Sequence, residues 1–243
     1  MSKGRDILKI NKFLVPAFAV IYSAMGINIL YANENIEAAC QEKSYKADIV
    51  PKKMTVQEKK LRFRCLIQPA VEDVFSELME QYNDVLKAIN AGSDSEKIRQ
   101  LKVKYKVESN KDLLKAIKPH PKSIAVAQAA MESAWGTSRF FKEANNIFGV
   151  WSFNKNEPRI AAGKKRGNKT IWVKKYPSIK ASIADYYFVL ARGRAFSEFR
   201  SLKMTTADPY LLVEKLNHYS ERKAAYGKEL ASMIRYNKFY KLD

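Results

Sequence analysis

The chain has 243 residues, 47% of them hydrophobic, enough to bury a core in one catalytic-sized domain with an appendage. Its 44 Lys and Arg against 25 Asp and Glu leave a net charge of +19, which calls for a polyanionic partner such as nucleic acid, anionic lipid or an acidic wall peptide. With two histidines and two cysteines, a His/Cys metal cluster is excluded for want of ligands.

Lys3, Arg5, Lys9 and Lys12 precede an apolar run from Phe13 to Ala32, which predicts an export segment over 1–32. About 20 residues suit an uncleaved transmembrane anchor as well as a cleaved signal peptide, and both readings stay open. Basic residues before the run and Glu34 and Glu37 after it place the N-terminus inside. The rest of the chain is therefore expected outside the cytoplasm, in the periplasm or on the inner membrane facing it, with no nucleic-acid partner. A polar linker follows over 33–53. In an oxidising compartment Cys40 and Cys65 can pair; two buried thiols is the alternative.

A helical prefix is expected over 54–107. Apolar residues from Leu61 to Ile89 recur at helical spacing, with Pro69 expected to break them into two helices. "AGSDSE", 91–96, reads as a turn that opens a further short helix to about Val107. Pro119 and Pro121 separate the next helix from one over about 122–134 that ends at Gly136. "NNIFGVWSF" and "KTIWVKKYP" bracket a Lys- and Gly-rich turn and read as a short hairpin. Helical patterns then return in "SIKASIADYYFVLAR", "TADPYLLVEKLNHYS" and "AAYGKELASMIRYNKFYKL". The plan is α+β, predominantly helical, with a small hairpin lobe and a cleft beside it.

The side-chain inventory leaves carboxylate chemistry. His120, between two prolines, reads as a loop residue rather than a base, and no glycine-rich phosphate loop is present. Glu132 lies in the last turn of a helix among Ala129, Met131 and Trp135. There the helix dipole and burial both disfavour its ionised form, as a general acid requires. Composition alone leaves it open whether Glu132 is such an acid or an exposed helix residue. Gln128, one turn earlier, can bond Glu132 or a ligand. Trp135, Trp151 and Trp172 offer flat faces for sugars or for a core. Between Trp151 and Tyr176 the one carboxylate, Glu157, stands among eight basic residues that favour its ionised form. One protonated and one ionised carboxyl is the glycosidase arrangement.

"AQAAMESAWGTS", "NNIFGVW", "YPSIKASIADY" and "HYSER" closely resemble the signature of the bacterial glucosaminidase family, which includes the flagellar peptidoglycan hydrolase domain, and in particular its Bax-type members. Upstream, "KKLRFRCLIQPAVE" and "LKVKYKV" look like the helical prefix of those members, so the resemblance covers roughly 52–240. It implies a lysozyme-like domain over 108–243 that hydrolyses the β-1,4 bond after N-acetylglucosamine in peptidoglycan glycan strands, without a cofactor or metal. The family's acid falls on Glu132, its cleft tyrosine on Tyr219 and its hairpin-lobe carboxylate on Glu157, although the substrate's acetamido group can stand in for that carboxylate. Gln128, Trp135, Asn146, Phe148 and Trp151 are expected to touch substrate. Tyr226 reads as a core residue rather than a cleft residue. A non-hydrolytic wall-binding or scaffolding module using the same cleft is the alternative.

Overall fold

A computed structural model describes residues 38–243 except 167 and 168, and the side chains of those residues except 164–169. The expected export segment lies outside the described residues. Among the described residues no helix is long and apolar enough to cross a membrane. Residues 38–43 are helical and belong to a unit of their own, 1–43. Cys40 and Cys65 are both disulfide-bonded.

Residues 44–243 form one compact unit, so the expected prefix and the domain after it fold together. The unit holds α1 (Val56–Asn90), α2 (Glu96–Tyr105), α3 (Asn110–Ile117), α4 (Lys122–Glu132) and α5 (Arg139–Ala144). These are followed by β1 (Arg159–Arg166), β2 (Lys169–Lys174), α6 (Ile179–Arg192), α7 (Ser197–Leu202), α8 (Pro209–Val213) and α9 (Ala224–Tyr236). Predominantly helical α+β with one small hairpin is the expected class.

The 35-residue α1 begins at a capping box between Thr55 and Glu58. It runs unbroken through Pro69, contrary to the expected split. Pro69 is exposed, so the backbone bond it forfeits lies away from the core, while Phe63, Ile67, Val71 and Val74 hold both halves of the helix against the core. Tyr82 and Val85 extend the buried stripe into a second core shared with Ile98 of α2 and Leu113 of α3. Tertiary burial outweighs the local breaker.

At the centre of the larger core lies α4, buried over every residue from Ser123 to Ala130. Four alanines at 125, 127, 129 and 130 have no accessible surface, which lets neighbouring helices approach closely all round. At Gly227 of α9 an added Cβ would stand 2.7 Å from the Val213 carbonyl oxygen, so only glycine admits the close crossing of α8 and α9. That crossing sets the position of Tyr226.

The hairpin is displaced from its expected place. β1 is formed by "RIAAGKKR", the segment read as a turn, and pairs antiparallel with β2, Arg159 opposite Lys174 and Arg166 opposite Lys169, with an irregularity between Ala161 and Lys165. "NNIFGVWSF" adds only a bridge from Trp151 to Val173. Gly163, at φ +81°, sits in that irregularity, where positive φ is easy for glycine.

Candidate active site

The sequence "AAMESAWG" places Glu132 on the last residue of α4, and the chain then turns sharply. Ala134, Trp135 and Gly136 have φ of +51°, +62° and +71°, so two non-glycine residues are held in the left-handed region. The turn is over-determined by its bonds. Trp135 N–H donates to the Ala130 carbonyl at 2.8 Å, and the Ser133 hydroxyl donates to the Ala129 carbonyl at 2.6 Å while accepting from Gly136 N–H at 2.8 Å. From α1 the buried Arg62 guanidinium donates to the Gly136 carbonyl at 2.8 Å and to the Lys46 and Ala47 carbonyls. The prefix helix thus clamps the turn that delivers the carboxyl.

Glu132 is partly buried, and desolvation raises its pKa above the ordinary carboxylate range. Glu229 acts in the same direction, while a hydrogen bond from Tyr226 and the charge of Arg222 oppose it. The Tyr226 hydroxyl donates to Glu132 Oε1 at 2.9 Å and accepts from Gln128 Nε2 at 2.8 Å. Gln128 Oε1 in turn accepts from the Tyr186 hydroxyl at 2.6 Å. Burial pushes both phenols upward, so they stay protonated and the chain of bonds keeps one polarity, with its last O–H aimed at the carboxyl.

Tyr219 stacks on Tyr226, ring centroids 5.4 Å apart at 13°, and meets Tyr186 edge-on at 6.4 Å. Desolvation, then Glu132, raises its phenol well above its usual value. On the lobe side Glu157 is partly buried in the turn before β1, near the Tyr176 phenol, which burial first, then Asp185, and to a smaller extent Glu157 and Tyr219 push above its usual range. Tyr176 donates to Asp185 Oδ2 at 2.6 Å, beside Lys174 Nζ at 2.9 Å.

Three residues expected to touch substrate are buried instead. Gln128 has no accessible surface and reaches Glu132 only through Tyr226. Asn146 donates to the Val150 and Lys174 carbonyls at 3.0 and 2.8 Å and accepts from Val150 N–H, pinning the lobe to the helical body. Phe148 stacks on Tyr186 with centroids 4.0 Å apart, fixing the phenol that begins the bond chain. Sequence spacing places these residues near Glu132 but carries no information on which way they point.

Trp151 is 44% exposed and lies beside Phe153, 85% exposed, giving the lobe an open aromatic pair. Trp135 is partly buried against Phe63 and lies 4.9 Å from Lys60 Nζ. Tyr226, read as core, is both core and site, with no accessible surface yet bonded to the carboxyl. Tyr186 and Asp185 escape sequence reasoning, because nothing separates Tyr186 from its helical neighbour Tyr187 until the fold turns one of them to Gln128. His120, read as a loop residue, is 1% exposed and stacks on Tyr187, and burial lowers its pKa to about 3.

A helical body, one hairpin lobe and a carboxyl whose pKa burial raises, at the end of a buried helix, give the chain the plan of a lysozyme-like protein. The model described as mannosyl-glycoprotein endo-beta-N-acetylglucosaminidase matches residues 108–239, and the chain belongs to this glucosaminidase family. It is 30% identical over 149 residues to Protein bax of Escherichia coli (strain K12), covering 57% of this chain and 52% of that protein. The chain thus spans about half the length of the curated relative it matches. Its structure is similar to the catalytic domain of the autolysin Auto from Listeria monocytogenes, with a TM-score of 0.45 at 19% identity over 87% of this chain and 97% of that one. It is also similar to a peptidoglycan hydrolase from Sphingomonas sp. A1, with a TM-score of 0.42 at 20% identity over 52% and 85%. The glycoside hydrolase domain of FlgJ from Salmonella typhimurium gives 0.40 at 22% identity over 59% and 89%.

Proposed function

We propose that the chain is an exported peptidoglycan glycosidase that cleaves the β-1,4 bond after N-acetylglucosamine, with Glu132 as general acid. The observation that carries this reading is the Glu132 carboxyl, held at the end of α4 with a raised pKa and a tyrosine hydroxyl on one oxygen. Desolvation favours the protonated form of Glu132, the form that can give its proton to the departing glycosidic oxygen. As that proton leaves, the new carboxylate already accepts the Tyr226 hydroxyl, so charge forms where a donor is in place. Glu157 is assigned as the second carboxylate, with the substrate's acetamido group as the other source of the second function. The excess of basic residues suits a substrate rich in carboxylates.

Glu132→Gln keeps a group that accepts from Tyr226 and removes the proton. With the folded pKa raised, ionised Glu132 costs stability as pH rises past the ordinary carboxyl range, so the neutral amide is expected to fold at least as stably at pH 7. It should release no reducing ends from purified peptidoglycan; release at the wild-type rate refutes the role. A wild type that binds sacculi and never releases reducing ends points instead to a wall-binding module. A periplasm-active reporter fused after Asp48 tests the exported location, and a silent reporter refutes it.

A further inference from the structure

A groove of about 760 Å³ opens beside Glu132, between the end of α4 and the outer face of α9. Its lining includes Met131, the residue before Glu132, together with Arg222 and Glu229, whose charges both act on the Glu132 carboxyl. Met131, Trp135, Met233 and Tyr236 supply apolar surface, while Lys60 and Lys228 supply charge. Lys228, Ser232 and Tyr236 follow at i, i+4 and i+8, so the groove tracks the helix. The 13 residues of α9 span roughly 20 Å, and four or five residues of extended peptide span about 13–18 Å.

Two features set the chemistry of the occupant. Arg222 is already paired with Glu229. Lys60 donates to the neutral Asn237 side-chain amide at 2.7 Å and lies 4.9 Å from the ring centres of both Trp135 and Tyr236. Among the described residues no carboxylate lies within 4.0 Å of the Lys60 or Lys228 ammonium. The aromatic faces that would stack on a sugar are thus shared with a cation, and two positive charges await an anion. A neutral glycan makes no use of them, whereas a short acidic peptide with small apolar side chains matches both the charges and the methionine surface.

We infer that this groove is a subsite for the acidic peptide stem attached to the glycan next to the cleaved bond, with Lys60 and Lys228 meeting its carboxylates. The inference rests on the peptidoglycan reading above. It assigns a task to the prefix helix, since Lys60 lies on α1, outside the family match at 108–239.

The test compares two soluble substrates, glycan strands bearing their peptides and the same strands stripped of peptides by an amidase. For Lys60→Gln/Lys228→Gln, KM on peptide-bearing strands should rise at least about tenfold, the scale of one of the two lost charge-assisted contacts, with kcat and the KM on stripped strands unchanged. No change, or an equal rise on both substrates, overturns the subsite. A second arm titrates a synthetic acidic tetrapeptide calorimetrically into full-length Glu132→Gln and into the same protein carrying the two lysine substitutions. Binding lost with the lysines supports the groove. Binding absent from the first protein, or equal in both, refutes it. Because this arm needs no turnover, a wild type inactive on both strands sinks the glycosidase reading while the groove is still decided.

Discussion

Tyr226→Phe separates the two tasks of the tyrosine hydroxyl, because they move different observables. The hydroxyl donates to Glu132 at 2.9 Å and accepts from a fully buried Gln128 at 2.8 Å. Removing it strands the Gln128 N–H in the core, which costs about 1–3 kcal/mol of stability. Under the proposed general-acid role, it also takes a donor from the carboxylate that forms when Glu132 gives up its proton. A hydrogen bond to a charged group contributes about 1.5–3 kcal/mol, so kcat should fall roughly 10- to 100-fold. The pH profile gives the sign. Tyr226 favours the ionised form of Glu132, so its loss raises the Glu132 pKa further above the ordinary range. A general acid works while protonated, so the basic limb of the kcat profile should move to higher pH even as the plateau drops. Reducing-end release from peptidoglycan across a pH series, with thermal melts of the same protein, measures all three effects. A plateau loss with the basic limb unmoved or moved to lower pH would refute the donor role and leave Tyr226 as packing alone.

Two further expectations concern the frame around the acid. Arg62→Met leaves the Gly136 carbonyl without its donor and loosens the left-handed turn after Glu132. The melting temperature should fall by roughly 2–12 °C with a loss of kcat, and a melt within a degree of wild type contradicts the clamp. His120 is buried neutral, its pKa lowered to about 3 by burial first and then by Lys203. Between about pH 6.5 and that value the unfolded chain takes up a proton that the folded chain refuses, so stability should fall as pH drops through this window. Urea melts of wild type and His120→Phe at pH 7 and pH 4 check this, the substitution being expected to flatten the slope.

Most helices were legible because their signals are local: apolar residues at helical spacing in α1 and α6, the "AGSDSE" turn before α2, and Gly136 after the helix that carries Glu132. Where neighbours distant in sequence decide, local reading failed. Pro69 is accommodated because both halves of α1 are buried against other helices, and "RIAAGKKR" becomes a strand because β2 pairs with it, β2 itself being bridged by Trp151 at Val173. At the site, the residue types and family signature marked Glu132 and Tyr219, yet Gln128, Asn146 and Phe148 face inward.

Residue types and their order are sufficient to predict the mostly helical plan with one hairpin, since short-range spacing carries that information along the chain, while the family signature, not composition, assigns the chain to its family and singles out Glu132. Only the tertiary structure brings Tyr226, 94 residues away, onto Glu132, Gln128 between two phenols, and Arg62 from the prefix helix under the turn. The physical reason is that desolvation and hydrogen-bond polarity are properties of what surrounds a group in space. A carboxyl's proton is governed by its neighbours in the folded core, and those are chosen by packing.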